Sequence, residues 1–73
     1  MNFTIEVERE EDGRWIAEVM DLPGTLVYGK TRKAALTAVE ALALRVMADR
    51  IEHGEVATPE NFTVSFSTAP SAA

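Results

Sequence analysis

Phe3-Thr4-Ile5-Glu6-Val7-Glu8, the run Glu10-Glu11-Asp12-Gly13, and then Arg14-Trp15-Ile16-Ala17-Glu18-Val19-Met20 form the stretch that decides the fold. Apolar Phe3, Ile5 and Val7 alternate with Thr4, Glu6 and Glu8, the period of a half-buried strand. Asp12-Gly13 is a hairpin turn signal, and the alternation resumes after it. A register that sets odd residues opposite odd gathers Phe3, Ile5, Val7, Trp15, Ala17 and Val19 on one face. A slip of one residue would mix the faces, so the pattern favours this register.

Downstream, Asp21-Leu22-Pro23-Gly24 breaks the second strand with Pro and Gly in turn positions. A short third strand is expected over Thr25 to Tyr28, closed by Gly29. Thr31 suits a helix N-cap. Residues 32–53 are rich in Ala and Leu and contain no Gly or Pro, which predicts one long helix. Ala35, Val39, Leu42 and Val46 follow helical spacing, with Leu36, Ala43, Leu44, Met47 and Ile51 on neighbouring lines, so the apolar stripe is wide. Gly54 suits the position after the helix end, and Arg50 and His53 sit near the negative end of its dipole. Glu55 to Glu60 reads as a linker, and Phe62, Val64 and Phe66 as the apolar positions of a fourth strand. The expectation is one α+β domain over residues 1–67, ordered β-β-β-α-β, with one helix on a mostly antiparallel sheet. Residues 68–73 carry no apolar pattern and are expected to be a flexible tail.

Composition bounds the function. A chain of 73 residues supports one thin core, for which self-association is a natural support. It has no cysteine, which excludes disulfides, thiolate metal sites and cysteine nucleophiles. No apolar run is long enough to span a membrane, and the first residues do not resemble a secretion signal, so a soluble cytoplasmic protein is expected. Net charge is −5, and it resides in residues 1–21, where seven acids (Glu6, Glu8, Glu10, Glu11, Asp12, Glu18, Asp21) meet two bases (Arg9, Arg14). The remainder balances. Polynucleotide binders concentrate positive charge, so this distribution argues against direct nucleic-acid binding and for a basic protein partner.

Candidate chemistry is sparse. His53 is the single histidine and stands at the predicted helix end, where a cation is favourable in its own right. Glu6, Glu8 and Glu18 share a face by parity, which reads as a solvated face before it reads as a metal cluster. Arg32 and Lys33 follow the N-cap, where cations oppose the dipole. No Ser or Thr lies in a nucleophile motif. The chain is therefore expected to have no catalytic residues, no metal site and no cofactor. Ile16 and Met20 stand out because the register sends both to the outer face amid Glu6, Glu8 and Glu18. Apolar residues ringed by acid suit a partner with an apolar patch and a basic rim. Glu6, Glu8, Ile16, Glu18 and Met20, with Asp21 and Leu22 as rim, are the expected partner-binding residues.

Gly13-Arg14-Trp15-Ile16-Ala17-Glu18-Val19-Met20-Asp21-Leu22-Pro23-Gly24, followed by Gly29-Lys30-Thr31, Ala34-Ala35 and Glu40-Ala41, resembles the HicB antitoxin family over residues 3 to 51. The resemblance implies a partial ribonuclease-H-like domain without a working catalytic site. It implies binding and blocking of HicA, a small basic mRNA-cleaving toxin, and assembly as dimers or larger oligomers. Met20 stands where the family usually has proline, Thr25 where cysteine is frequent, and Arg32 and Lys33 where acids are favoured. Seven residues follow Phe66, so the DNA-binding domain many members add is not expected. Two alternatives are an orphan homo-oligomer, paired through the Phe62-Val64-Phe66 strand, and a degenerate metal-dependent nuclease. The acidic, base-poor surface argues against the latter.

Overall fold

The strand parity predicted from the sequence organises the molecule. In the computed structural model, which describes residues 1–69, β1 (Asn2–Arg9) pairs antiparallel with β2 (Trp15–Val19) in the register Ile5↔Val19, Val7↔Ala17, Arg9↔Trp15. The turn between them carries positive φ at Gly13 alone, +91°, with Gly13 N–H donating to the Glu10 carbonyl at 3.0 Å. Asp12 keeps negative φ, so a two-residue type I′ turn is not formed. The three-residue loop with a left-handed glycine takes its place.

β3 (Leu26–Gly29) pairs antiparallel with β2, and β4 (Ser65–Thr68) pairs parallel with β1, giving the sheet order β3-β2-β1-β4. The architecture is the expected α+β, β-β-β-α-β arrangement, with three antiparallel strands and one parallel edge strand. The fourth strand lies later than the sequence suggested. Phe62 N–H closes a turn onto the Pro59 carbonyl at 3.0 Å, and ladder bonding starts when Ser65 N–H reaches the Met1 carbonyl at 2.9 Å. Phe62 and Val64 pack against the core from the connection instead. Phe66 alone of the three lies in β4, its ring 5.7 Å from that of Phe3. The strand also takes in Thr68, and Ala69 N–H donates to the Ile5 carbonyl at 2.8 Å, so the first two residues of the expected tail belong to the sheet or bond to it. The rest of that tail lies outside the described residues.

Helix α1 (Arg32–Glu52) crosses the inner face. Thr31 Oγ1 accepts from Ala34 N–H at 3.0 Å, satisfying one of the free donors of the first turn. At the other end Glu55 N–H bonds the Arg50 carbonyl and Gly54 N–H that of Ile51, with Gly54 at φ +72°. That is a Schellman ending, which a left-handed glycine permits. The buried line is Ala35, Val39, Ala43 and Met47; Leu42 and Val46 of the expected stripe are half-buried, and Leu44 points to solvent. This line packs on Phe3, Ile5, Ala17, Val19 and Leu22.

Gly29 sets how closely the helix start approaches β3. A Cβ built on it would lie 2.5 Å from Ala35 N and 2.9 Å from Ala35 Cα, backbone atoms that cannot rotate away. Gly29→Ala is expected to destabilise the fold by about 1–3 kcal/mol, the usual cost of overpacking a tight contact. Urea unfolding of the variant beside the parent measures this; an unchanged midpoint would show the approach is slack.

Candidate interaction surface

Because the odd residues face the helix, the even ones face outward. Ladder pairing sets Glu6 directly opposite Glu18 and Glu8 opposite Ile16. On the other side of β2, Glu18 faces Leu26 and Ile16 faces Tyr28. Among the described residues no helix covers this face. Met20, Leu26 and Tyr28 are 47%, 40% and 45% exposed, beside a half-buried Ile16. The result is an apolar strip along β2 and β3, bordered on β1 by Glu6 and Glu8.

Of the seven expected contact residues, Glu6, Glu8, Ile16, Glu18 and Met20 come together here. Leu22 does not. It is 3% exposed and belongs to the core. The turn after β2 folds it inward, with Leu22 N–H on the Val19 carbonyl and Thr25 N–H on the Leu22 carbonyl, so burial beneath the sheet replaces the expected rim position. Asp21 is exposed, but its carboxylate is engaged in the fold. Oδ2 accepts Thr4 N–H at 2.7 Å while Met20 N–H bonds the Thr4 carbonyl, so the side chain continues the ladder where β2 has ended.

Leu26 and Tyr28 belong to the strip and were not predicted from sequence. The six residues between β2 and β3, Met20 to Thr25, hide the parity of the third strand, and only the ladder assigns its faces. Over Tyr28 lies the Arg14 guanidinium, 4.3 Å from the ring centroid, and Arg14 Nε bonds Asp12 Oδ2 at 2.7 Å. The Arg14 backbone N–H also donates to Asp12, and this bond, with the guanidinium second, holds the Asp12 carboxyl below its ordinary value of 3.8. Among the described residues, the Lys/Arg–carboxylate pair is Arg14–Asp12, and His53 Nδ1 lies 3.4 Å from Asp49 Oδ1, so Glu6, Glu8 and Glu18 have no paired cation.

Elsewhere, Asp49, His53 and Glu55 bring ligand-type atoms within 4.8 Å of one another at the exposed helix end. His53 Nδ1 is 2.7 Å from the Asp49 backbone carbonyl, which engages that ring nitrogen as a donor and orients the ring along the helix end. An open groove of about 390 Å³ runs between α1 and β4, lined by Ile5, Leu36, Glu40, Phe66, Ser67 and Thr68. Among the described residues that line it, Glu40 is the single titratable group. Among the described residues, no helix is long and apolar enough to cross a membrane.

These features define a small α+β domain whose sheet has one face under a helix and the other bare, apolar and acid-bordered. The UPF0150 protein Ta0767 of Thermoplasma acidophilum is 30% identical over 61 residues, covering 84% of this chain and 88% of that protein. The chain belongs to the UPF0150 family. No family profile matches it, and no solved structure does.

Two measurements probe this surface. Asp21→Ala removes the acceptor of Thr4 N–H and is expected to cost about 0.5–1.5 kcal/mol, with Asn recovering part of it; equal stability of all three proteins in urea would deny the carboxylate its ladder role. The depressed Asp12 carboxyl favours the folded state above its unfolded-state pKa, and this contribution is lost as pH falls through the lower folded value. Carboxyl NMR titration is expected to place Asp12 below ordinary aspartates. Arg14→Ala should raise it only part of the way, because the residue-14 backbone N–H remains.

Proposed function

We propose that this protein is a HicB-like antitoxin, which binds a small basic HicA-type mRNA-cleaving toxin through the outer face of its sheet and performs no chemistry itself. The supporting observation is the direct pairing of Glu6 with Glu18 beside exposed Met20, Leu26 and Tyr28. Like charges directly opposite across a ladder disfavour the sheet. A basic partner turns that cost into attraction, and the neighbouring apolar side chains supply the desolvated centre that a stable interface needs. Electrostatic attraction steers encounter, and the toxin's basic surface is then withdrawn from RNA. Such a pair works in the cytoplasm, where the toxin's mRNA substrate lies. Membership of UPF0150 is compatible with this reading, as is the resemblance carried by residues 13–24 and 29–41.

The test uses a HicA-type toxin, sought in the adjacent reading frame, where the partner of such an antitoxin would be encoded. Co-expression of the chain is expected to relieve growth arrest, and the purified pair to co-elute with mRNA cleavage blocked. Ile16→Asp with Met20→Asp should abolish both effects while far-UV circular dichroism stays unchanged. Full rescue by that variant removes this face from the reading. Hydrolysis of an oligonucleotide by the chain alone, or its tight binding at ordinary ionic strength, removes the reading altogether.

A further inference from the structure

The helix carries a second apolar line that the core does not use. Ala34, Thr37, Ala41, Leu44, Ala48 and Ile51 recur at spacings of three and four, the seam pattern of paired helices. They lie away from the buried line Ala35, Val39, Ala43 and Met47. Ala34, Thr37, Leu44 and Ala48 are exposed, Ala41 and Ile51 half-buried, and Leu44 at 49% is among the most exposed large apolar side chains of the molecule. Thus α1 is apolar on two sides and has a sheet against only one of them.

The charges at its ends say what fits the other side. Lys30, Arg32 and Lys33 stand at the N-terminal end, with no acid in the first turn, and Asp49, Glu52 and Glu55 stand at the C-terminal end. Both sets oppose the dipole of their own helix, and Arg50 alone in the last turn offsets it. We propose that the outward face of α1 is a self-association surface, on which the helix of a second copy of this chain lies antiparallel. In that arrangement each basic end is level with an acidic end, and the two helix dipoles also oppose each other. A parallel pair would stack like ends together. Setting Ala41 opposite Leu44 of the second copy also sets Ala34 opposite its Ile51 and Thr37 opposite its Ala48, so each layer meets a small side chain and the backbones can approach closely. Lys33 is then level with Glu52 of the second copy. Such a contact is isologous and closes as a dimer. It leaves both sheet faces free, one per copy, so it stands independently of the antitoxin reading.

Sedimentation equilibrium of the full chain at micromolar concentration is expected to return twice the chain mass of 8.0 kDa. Ala41→Glu with Leu44→Glu should return the single-chain mass with an unchanged far-UV spectrum. Because the chain has no native cysteine, disulfide trapping gives a second readout that does not require the charged variant to fold. Ala34→Cys and Ile51→Cys proteins, oxidised after mixing, are expected to cross-link to each other and not to themselves. Identical positions near the helix ends lie roughly 25 Å apart in an antiparallel pair, beyond the reach of a disulfide. A monomeric parent, a dimer that survives the double glutamate variant in folded form, or self-cross-linking of Ala34→Cys would each overturn the proposal. Loss of toxin rescue in Ile16→Asp with Met20→Asp, alongside an intact dimer, would separate the two surfaces.

Discussion

The contact of one helical line with one sheet face carries this fold. Ala35, Val39 and Ala43 are fully buried against Ala17, Val19 and Ile5, and a chain this small has no second layer to share the load. Alanines at the seam let the helix lie close, and Gly29 extends that closeness to the helix start. A tight seam compensates for the small area: in a thin core, each unfilled methylene loses contacts that nothing else replaces. The parity of β1 against β2 follows from the same constraint, because a one-residue slip would take Phe3, Ile5, Ala17 and Val19 out from under the helix, and the three-residue loop fixes the register within that parity.

That register has a chemical consequence on the reverse side. Inward odd residues send Glu6 and Glu18 to the same outer face, and the register set by the hairpin loop places them directly opposite each other, at a cost to the ladder. Among the described residues no cation pairs with either of them. Four of the seven basic residues are placed elsewhere: Arg14 is held by Asp12 over Tyr28, and Lys30, Arg32 and Lys33 are gathered at the helix start. A concentrated acidic face bordering an apolar strip, rather than an even mixture of signs, favours a cationic surface as its complement. The uncovered helix side is different in kind. It is balanced end to end, and in the dimer we propose its complement is another copy of itself.

Much of the fold was legible in local pattern. The two-residue alternation of β1 and β2, the Thr31 cap and the Gly54 ending are short-range signals, each tied to the hydrogen bonds of its own segment. The fourth strand was legible in kind and not in place. Its parallel partner, β1, lies more than sixty residues away in the chain, as the bond from Ser65 N–H to the Met1 carbonyl shows, and alternation cannot report where such pairing begins. Leu22 was misplaced for a related reason. Turn chemistry identifies a reversal, but the direction in which one side chain leaves it depends on what lies beneath.

Alternation and charge order alone determined which residues of β1 and β2 face in and out, that one long helix follows, and that the negative charge collects at the N-terminal hairpin. These depend on periods of two and of about 3.6 residues, which the backbone imposes on any sequence. Tertiary structure decided the rest. It seated Leu22 in the core and turned Asp21 into a ladder acceptor. It brought Leu26 and Tyr28 onto the acidic face, and it left Leu44 outside while Met47 went in. Each of these outcomes depends on which strand lies beside which and on which helical line meets the sheet, and those are contacts between segments that no local period encodes.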